Sequence, residues 1–380
     1  MIRRLLFQVH MWIGLVLGVL FVALGLSGSV LVYHEEIDRL AAPAPRAAAT
    51  GAAKPLEDLV AAAFVAAPGA SGSLLLTLPE QAGDPATVRF LPSPREGARR
   101  DGQAARPRSP TIFIDPVSAK VLGTRVSAMS PLVQFAHDLH GNLFLGRDGR
   151  PYVGWLGVGM VILGLTGLVL WWPRPHLWKY AFLVRRTAKG LRFHRELHAV
   201  VGIWGFIVFI VVSVTGVGIV FPETFRAAGG GGAPAFNLRT GPRIEPLNTE
   251  NPLGTDEAVA LARAAVPGAR VRSVLVPERP TQAVSVALGD ASLLSMVYVD
   301  PWRGKVVAVR DPSSLSAADS FVAWQRPLHQ GDGLGAVWRF LVFLSGFLPL
   351  LFVVTGVVMW LKKRRAHLAM NAPVPEGAAP

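Results

Sequence analysis

The chain contains no cysteine, so disulfides, thiolate metal centres and iron–sulfur clusters are excluded. Charge is scarce as well: Asp, Glu, Lys and Arg make up 17% of the residues, too few to clothe a soluble surface of this size. No His-Glu-x-x-His, phosphate-binding loop or Gly-x-Gly-x-x-Gly stands in a supporting context, which removes protease, nucleotide hydrolase, flavin and nicotinamide readings. What the chain has instead is apolar length. Hydrophobic residues are 51% of the total and the mean hydropathy is +0.40, the balance of an integral membrane protein.

Four uncharged stretches reach spanning length: Met11 to Tyr33, Tyr152 to Trp172, Ala199 to Phe221 and Phe340 to Leu361. Each covers roughly 30 Å at 1.5 Å per residue. The first is too long and unbroken for a cleaved signal peptide. The net charge of +13 does not point to nucleic acid, because the basic residues flank the spans. Arg3 and Arg4 precede the first; Arg174, Lys179, Arg185, Arg186, Lys189, Arg192 and Arg195 fill the loop between the second and third; Lys362 to Arg365 follow the fourth. The positive-inside rule then makes both termini and that loop cytoplasmic. The expected plan is residues 1–34 with the first span, an outside module over 35–151, a span over 152–172, a basic cytoplasmic loop over 173–198, a span over 199–221, a second outside module over 222–339, a span over 340–361 and a cytoplasmic tail over 362–380.

The chain reads as an internal duplication. His10-x-x-x-Gly14 opens the first span and His198-x-x-x-Gly202 the third, an offset of 198 − 10 = 188 that also carries Ser27-Gly28 onto Thr215-Gly216. At an offset of 189, His140 falls on His329, Thr166-Gly167 on Thr355-Gly356 and Trp171 on Trp360. Ionisable groups at a bilayer rim are costly, so a repeated set is by default a functional site. The pairs His10/His198 and His140/His329 fall at opposite faces, and neutral imidazoles from facing helices suit axial ligation of a planar metal cofactor. Gly14 and Gly202 sit one turn beyond the inner histidines, where a missing side chain would let a macrocycle approach. The inner pair would face Thr166-Gly167 and Thr355-Gly356, the outer pair Ser27-Gly28 and Thr215-Gly216. Ordinary small-residue helix packing is the competing account of these glycines, and headgroup contact that of the histidines. His137, His194 and His34 are reserve ligands; His34 has Pro222 as its counterpart and lies outside the duplicated set.

Each outside segment reads as a small α+β module. A helix starts at Pro55, and strands follow at Ser73 to Leu78, Thr87 to Leu91 and Thr111 to Ile114; in the second, Thr255 caps a helix, and strands follow near Val271 to Val276, Ala283 to Leu288 and Met296 to Val299. Both close on a turn, Asp115-Pro116 with Lys120 and Asp300-Pro301 with Lys305. The first segment also carries a basic stretch, Pro92 to Pro110, that reads either as a solvated loop or as an anion-attracting patch. Gly229 to Gly232 and the tail from Asn371 read as linker.

The arginine-flanked helix with His-x-x-x-Gly, the Ser/Thr-Gly pair, and the outside module ending in Asp-Pro-x-x-x-x-Lys together resemble the PepSY-associated transmembrane family, over nearly the whole chain. Its members include iron-regulated inner-membrane proteins and FoxB-like siderophore reductases. The resemblance implies a membrane all-α four-helix bundle with two extracytoplasmic α+β PepSY-like modules and two b-type haems per chain. It also implies a ferric-siderophore reductase that takes electrons from an unknown cytoplasmic or membrane donor. In that reading His140 and His329 hold the haem that meets substrate, with Arg326, Arg339 and Arg95 to Arg108 attracting the chelate. Two other functions stand against it: a siderophore or solute transporter, disfavoured by unbroken spans, and a non-catalytic membrane protein whose PepSY domains bind a peptide or protease.

Overall fold

The structure, a computed structural model, describes residues 1–91, 110–126, 129–231, 241–247, 252–289 and 293–370. The basic stretch around Arg95 to Arg108 and the tail from Asn371 lie outside them. In chain order the helices are α1 (Ile2–Val32), α2 (His34–Ala41), α3 (Leu56–Ala66), α4 (Pro131–Asn142), α5 (Gly149–Trp171) and α6 (Trp178–Ala181). They continue with α7 (Gly190–Val220), α8 (Pro222–Ala228), α9 (Thr255–Ala265), α10 (Ala317–Gln330), α11 (Gly335–Ser345) and α12 (Leu348–Met370). Strands β1 (Ser73–Thr77), β2 (Ala86–Leu91), β3 (Thr111–Ile114) and β4 (Val121–Arg125) lie between α3 and α4. Strands β5 (Val271–Val276), β6 (Val284–Leu288), β7 (Ser295–Asp300) and β8 (Lys305–Arg310) lie between α9 and α10. The residues form two compact units, one of Met1–His34, Pro131–Phe225 and Trp324–Pro380, the other of Glu35–Ser130 and Arg226–Ala323.

The first unit holds four membrane-spanning helical segments, Ile2–Val32, Gly146–Trp171, Gly190–Val220 and Gly335–Leu368. Apolar side chains turned outward, such as Val19 at 74% and Trp204 at 70% exposure, suit contact with lipid rather than water. α1 packs against α5 and α12, and α7 packs against the same two, so α1 and α7 stand diagonally across the bundle. Lipid supplies no hydrophobic drive between helices, and small residues let their backbones approach. A Cβ on Gly18 would come 2.7 Å from Val353 Cγ2, and one on Gly25 would come 2.3 Å from the Gly346 carbonyl.

Two boundaries differ from the sequence expectation. α1 and α7 begin about two turns before their uncharged stretches, because Arg3, Arg4, Arg192 and Arg195 have long stems that a helix end at the interface accommodates. The fourth span is broken between α11 and α12, where Pro349 lacks the N–H that would continue the helix. Ser29 Oγ of α1 donates at 2.8 Å to the Phe343 carbonyl in the last turn before the break, a carbonyl that also accepts from the Gly346 N–H at 3.3 Å.

In the second unit all eight strands make one antiparallel sheet in the order β4-β3-β2-β1-β5-β6-β7-β8. The segment between the first and second spans and that between the third and fourth join edge to edge through β1 and β5, with Leu75 opposite Leu275 and Leu76 opposite Val274, so neither first strand is left as a bare edge. Leu59 and Ala63 of α3 pack on Leu74, Leu76, Val88 and Ile112, and Ala258, Val259 and Ala262 of α9 pack on Val274, Val286 and Val297. Strands β4 and β8 follow the Asp-Pro turns, where the Asp115 carboxylate accepts from Val117 N–H at 3.0 Å and that of Asp300 from Trp302 N–H at 2.9 Å. The cap of α9 is Gly254, not Thr255: the Glu257 carboxylate accepts from the Gly254 N–H at 3.1 Å, and Thr255 is the first helical residue. The N-termini of α3 and α9 cap each other. Asp256 N–H donates to Glu57 Oε1 at 3.0 Å and Glu57 N–H to Asp256 Oδ2 at 3.2 Å, each carboxylate sitting at the positive end of the other helix.

Candidate functional site

His10 is the ninth residue of α1 and His198 the ninth of α7, so both lie inside their helices rather than at the ends. The two rings face across the bundle diagonal with centroids 6.2 Å apart and planes at 71°. His10 Nδ1 lies 3.0 Å from Thr166 Oγ1 of α5, and His198 Nδ1 lies 2.7 Å from Thr355 Oγ1 of α12. Each threonine hydroxyl donates its own hydrogen to the carbonyl four residues back, Ile162 at 2.6 Å and Leu351 at 2.7 Å. Their oxygens are therefore acceptors toward histidine. Nδ1 carries the proton on both rings, and the Nε2 lone pair is the one left for a ligand.

The second pair is built by a different route to the same end. His140 lies on α4 and His329 on α10, short helices that precede the spans rather than forming their first turns. Their ring centroids are 5.9 Å apart with planes at 46°. His140 donates Nδ1–H to the Leu24 carbonyl and His329 donates to the Val212 carbonyl, both at 2.9 Å, with Ser27 Oγ at 3.5 Å and Thr215 Oγ1 at 3.3 Å beside them. A carbonyl only accepts, so Nε2 is again the free position. Burial pushes His329 down to about 4, with His140 and Arg326 adding to the effect and the bond to Val212 opposing it; burial likewise lowers His140, so both rings are neutral near neutral pH. Backbone strain frames the first of these helices: Leu143 and Phe144, just after His140, are left-handed at φ 54° and 61°, whereas glycines take the positive φ values after His329 at Gly331 and Gly335.

The glycines divide into two kinds. A Cβ on Gly28 would come 2.9 Å from His140 Cε1, one on Gly216 2.9 Å from His329 Cε1 and one on Gly167 3.3 Å from His10 Cε1, so these let the imidazoles lie against a helix. Gly14 and Gly356 face open space, and Gly202 meets only the edge of Phe352 at 3.9 Å. Together with His10 and His198 they line a cavity of about 1240 Å³ between α1, α5, α7 and α12, with Phe206, Phe352 and Val353 on its apolar wall. Measured along α1, His10 and Leu24 are 14 residues apart, about 21 Å. The two sites are therefore closer than the roughly 30 Å expected from histidines at opposite helix ends.

The reserve histidines stand elsewhere. His34 Nδ1 lies 2.8 Å from its own segment's Leu31 carbonyl, and the side chain of His137 is 52% exposed beside Asp138. His194 packs against Phe193 and does not line the cavity. Arg339 donates to the Val32 carbonyl at 2.8 Å and lies over the Tyr33 ring. Trp204 donates to the Phe182 carbonyl at 3.1 Å and stands outside the bundle, away from either pair. Sequence reasoning missed the Leu24 and Val212 carbonyls; the offset relates them, since 212 − 24 = 188, but main-chain acceptors leave no side-chain signal.

Residues 7–363 match the family described as the PepSY-associated TM region. The chain belongs to that family. A stretch of 88 residues of this chain is 34% identical to "Uncharacterized protein PA4219" of Pseudomonas aeruginosa. That stretch is 23% of this chain and 21% of the relative, so the chain matches about a fifth of the length of its relative. The family accounts for a membrane protein whose described residues combine four spans with an antiparallel sheet unit.

The spacing within each histidine pair meets one requirement of a planar tetrapyrrole held between imidazoles, and the inner pair also lines a cavity. Two imidazoles binding one metal atom from opposite sides at roughly 2.0–2.1 Å place their ring centres about 6.3 Å apart, and the two pairs stand at 6.2 Å and 5.9 Å. Two facing histidines with free Nε2 positions are the donors that such a group would take from this chain.

Proposed function

We propose that this protein is a di-haem b oxidoreductase of the bacterial inner membrane, passing electrons from a cytoplasmic-side donor to a ferric siderophore outside. The observation that carries the proposal is the doubled arrangement itself: four histidines in two facing pairs, each with Nδ1 held by an acceptor and Nε2 free. A haem held by such a histidine pair would supply one-electron transfer. His10 and His198 hold the inner group, with Thr166 and Thr355 orienting the rings; His140 and His329 hold the outer one, oriented by the Leu24 and Val212 carbonyls. Gly14, Gly202 and Gly356 keep the inner space clear, Gly167 seats the His10 imidazole, and Gly28 and Gly216 seat the outer imidazoles.

The duplication supports two sites at different depths, which divide a path too long for one rapid hop. The positive-inside rule supports a cytoplasmic Arg3 and Lys363 end and, in this reading, an extracytoplasmic sheet unit. Each electron delivered converts ferric to ferrous iron, while the donor is oxidised by one electron. Ferrous iron is held less tightly by hard oxygen ligands and leaves the chelate.

A transporter reading gains one observation, the break in the fourth span at Gly346, since discontinuous helices build many transport sites. Ser29 and the apolar surroundings of the break supply no charged pathway, so the oxidoreductase reading stands first. The test is reoxidation: reduced protein mixed with a ferric siderophore recovers its oxidised spectrum and yields ferrous iron that a chromogenic chelator traps. Persistence of the reduced spectrum, with no ferrous iron formed, contradicts the proposal.

A further inference from the structure

The large cavity is graded along its length. Six cationic side chains line one end, Arg3, Arg4, Arg192, Arg195, Lys363 and Arg364, and no Asp or Glu lines it among the described residues. Along α1 it runs from Arg3 past His10 to Phe21, 18 residues or about 27 Å, and its deep wall is aromatic, with Phe206 and Phe209. The cations come from α1, α7 and α12, so three separate helices converge on one opening. Several are held there: Arg3 donates to the Leu170 carbonyl at 2.8 Å, Lys363 lies over Phe7 and Arg364 over Trp360. Arg192 pairs with Glu196 at 2.9 Å; the other five form no ion pair among the described residues. The positive-inside rule accounts for cations at these helix ends but does not require them to line a cavity. Gathered around a low-dielectric space, they repel one another and focus a positive potential that an anion would relieve.

We infer that this rim is a carboxylate-binding site, which takes the two carboxylate arms on one edge of a porphyrin whose metal lies between His10 and His198. The inference rests on the haem reading and adds an orientation to it. A b-type porphyrin is a flat apolar plate with both acids on one edge, and the cavity has the same polarity: cations at the mouth, histidines about 10 Å deeper along α1, aromatic side chains beyond. The acidic edge faces the Arg3 and Lys363 end, and the apolar edge faces Phe206 and Phe209. Carboxylates bound to arginine form charge-assisted hydrogen bonds, and here they form beside an apolar wall that limits screening.

The test uses full-length protein carrying His140→Ala and His329→Ala, so that only the inner site remains, depleted of haem and held in neutral-lipid nanodiscs. Titration with haem and with its dimethyl ester, followed by the Soret band, should show at least tenfold tighter binding of the diacid, and salt should weaken the diacid alone. Arg4→Gln, Arg195→Gln, Lys363→Gln and Arg364→Gln combined should bring the two affinities together. Equal binding of acid and ester to the unsubstituted rim overturns the inference, and the cations then serve lipid headgroups or topology. That comparison needs no rim variant, so misfolding of the combined variant does not obscure it. Binding of neither compound overturns the haem reading itself.

Discussion

The imidazole of His140 donates its Nδ1–H to the carbonyl of Leu24 across 2.9 Å, and this contact is possible only because Gly28, one turn further along α1, has no side chain. The relation fixes the ring on three counts: which nitrogen is protonated, which is free, and how close the ring lies to α1.

Gly28→Ala tests it. The added Cβ would stand 2.9 Å from His140 Cε1, inside contact distance, so the ring must turn from Leu24. We expect about tenfold weaker retention of the outer haem, the scale found when a metal-bound histidine loses its hydrogen-bond partner, with the inner haem unchanged. Gly216→Ala should act alike through His329. Undiminished outer occupancy would show that the Leu24 contact is not what holds the ring.

Thr166→Val and Thr355→Val remove the acceptors of the inner pair while keeping side-chain volume. Each should weaken inner haem binding about 10- to 100-fold and shift the inner reduction potential, and Thr→Ser should restore both. A reduction potential that does not move in either valine variant counts against the assigned tautomer.

The register of the sequence singles out as candidates His10, His198, His140 and His329, which the structure brings together in pairs, and the Ser/Thr-Gly pairs, because the offset carries side-chain identities from one half to the other. It also placed six strands to within a residue or two, since turn chemistry at Asp115 and Asp300 is local. It did not show that β1 pairs with β5, because both strands are short apolar runs that would suit either a shared sheet or two separate ones. The break before Leu348 leaves no signal in the hydropathy because Pro349 sits in an unbroken apolar stretch, and proline is tolerated in membrane helices. The depth of the outer pair was misjudged because α4 folds back along α1, a tertiary fact that hydropathy does not encode.

The reciprocal caps of Glu57 and Asp256 give a stability prediction for the sheet unit. Glu57→Ala frees the Asp256 N–H and Asp256→Ala frees the Glu57 N–H, one helix end each, and either should cost about 1 kcal/mol. The double variant should cost less than the two added together, since either change already loosens the shared contact between α3 and α9. Strict additivity in denaturant unfolding would show that the two caps act independently.

Acid should weaken the same unit through its turns. Backbone N–H bonds from Val117, then the Ser118 hydroxyl, hold Asp115 below its ordinary carboxylate value, and bonds from Ser313 and Ser295 do the same for Asp311. A carboxylate with a lowered folded value binds protons less readily than in the unfolded chain. Its contribution is present above about pH 4 and is lost as pH falls through the folded value. Thermal unfolding between pH 5 and 3 should show this decline, and Asp115→Asn should flatten it; a slope identical in that variant would remove Asp115 from the account.

Haem content read site by site is the most direct test of the central claim. Protein made with ample haem supply should yield two b-type haems per chain in a pyridine haemochrome assay, with a reduced-minus-oxidised spectrum of six-coordinate low-spin iron. His10→Ala or His198→Ala should leave one haem, the outer, and His140→Ala or His329→Ala should leave the inner one. A colourless protein, or a full complement of two haems retained by all four single variants, would contradict it.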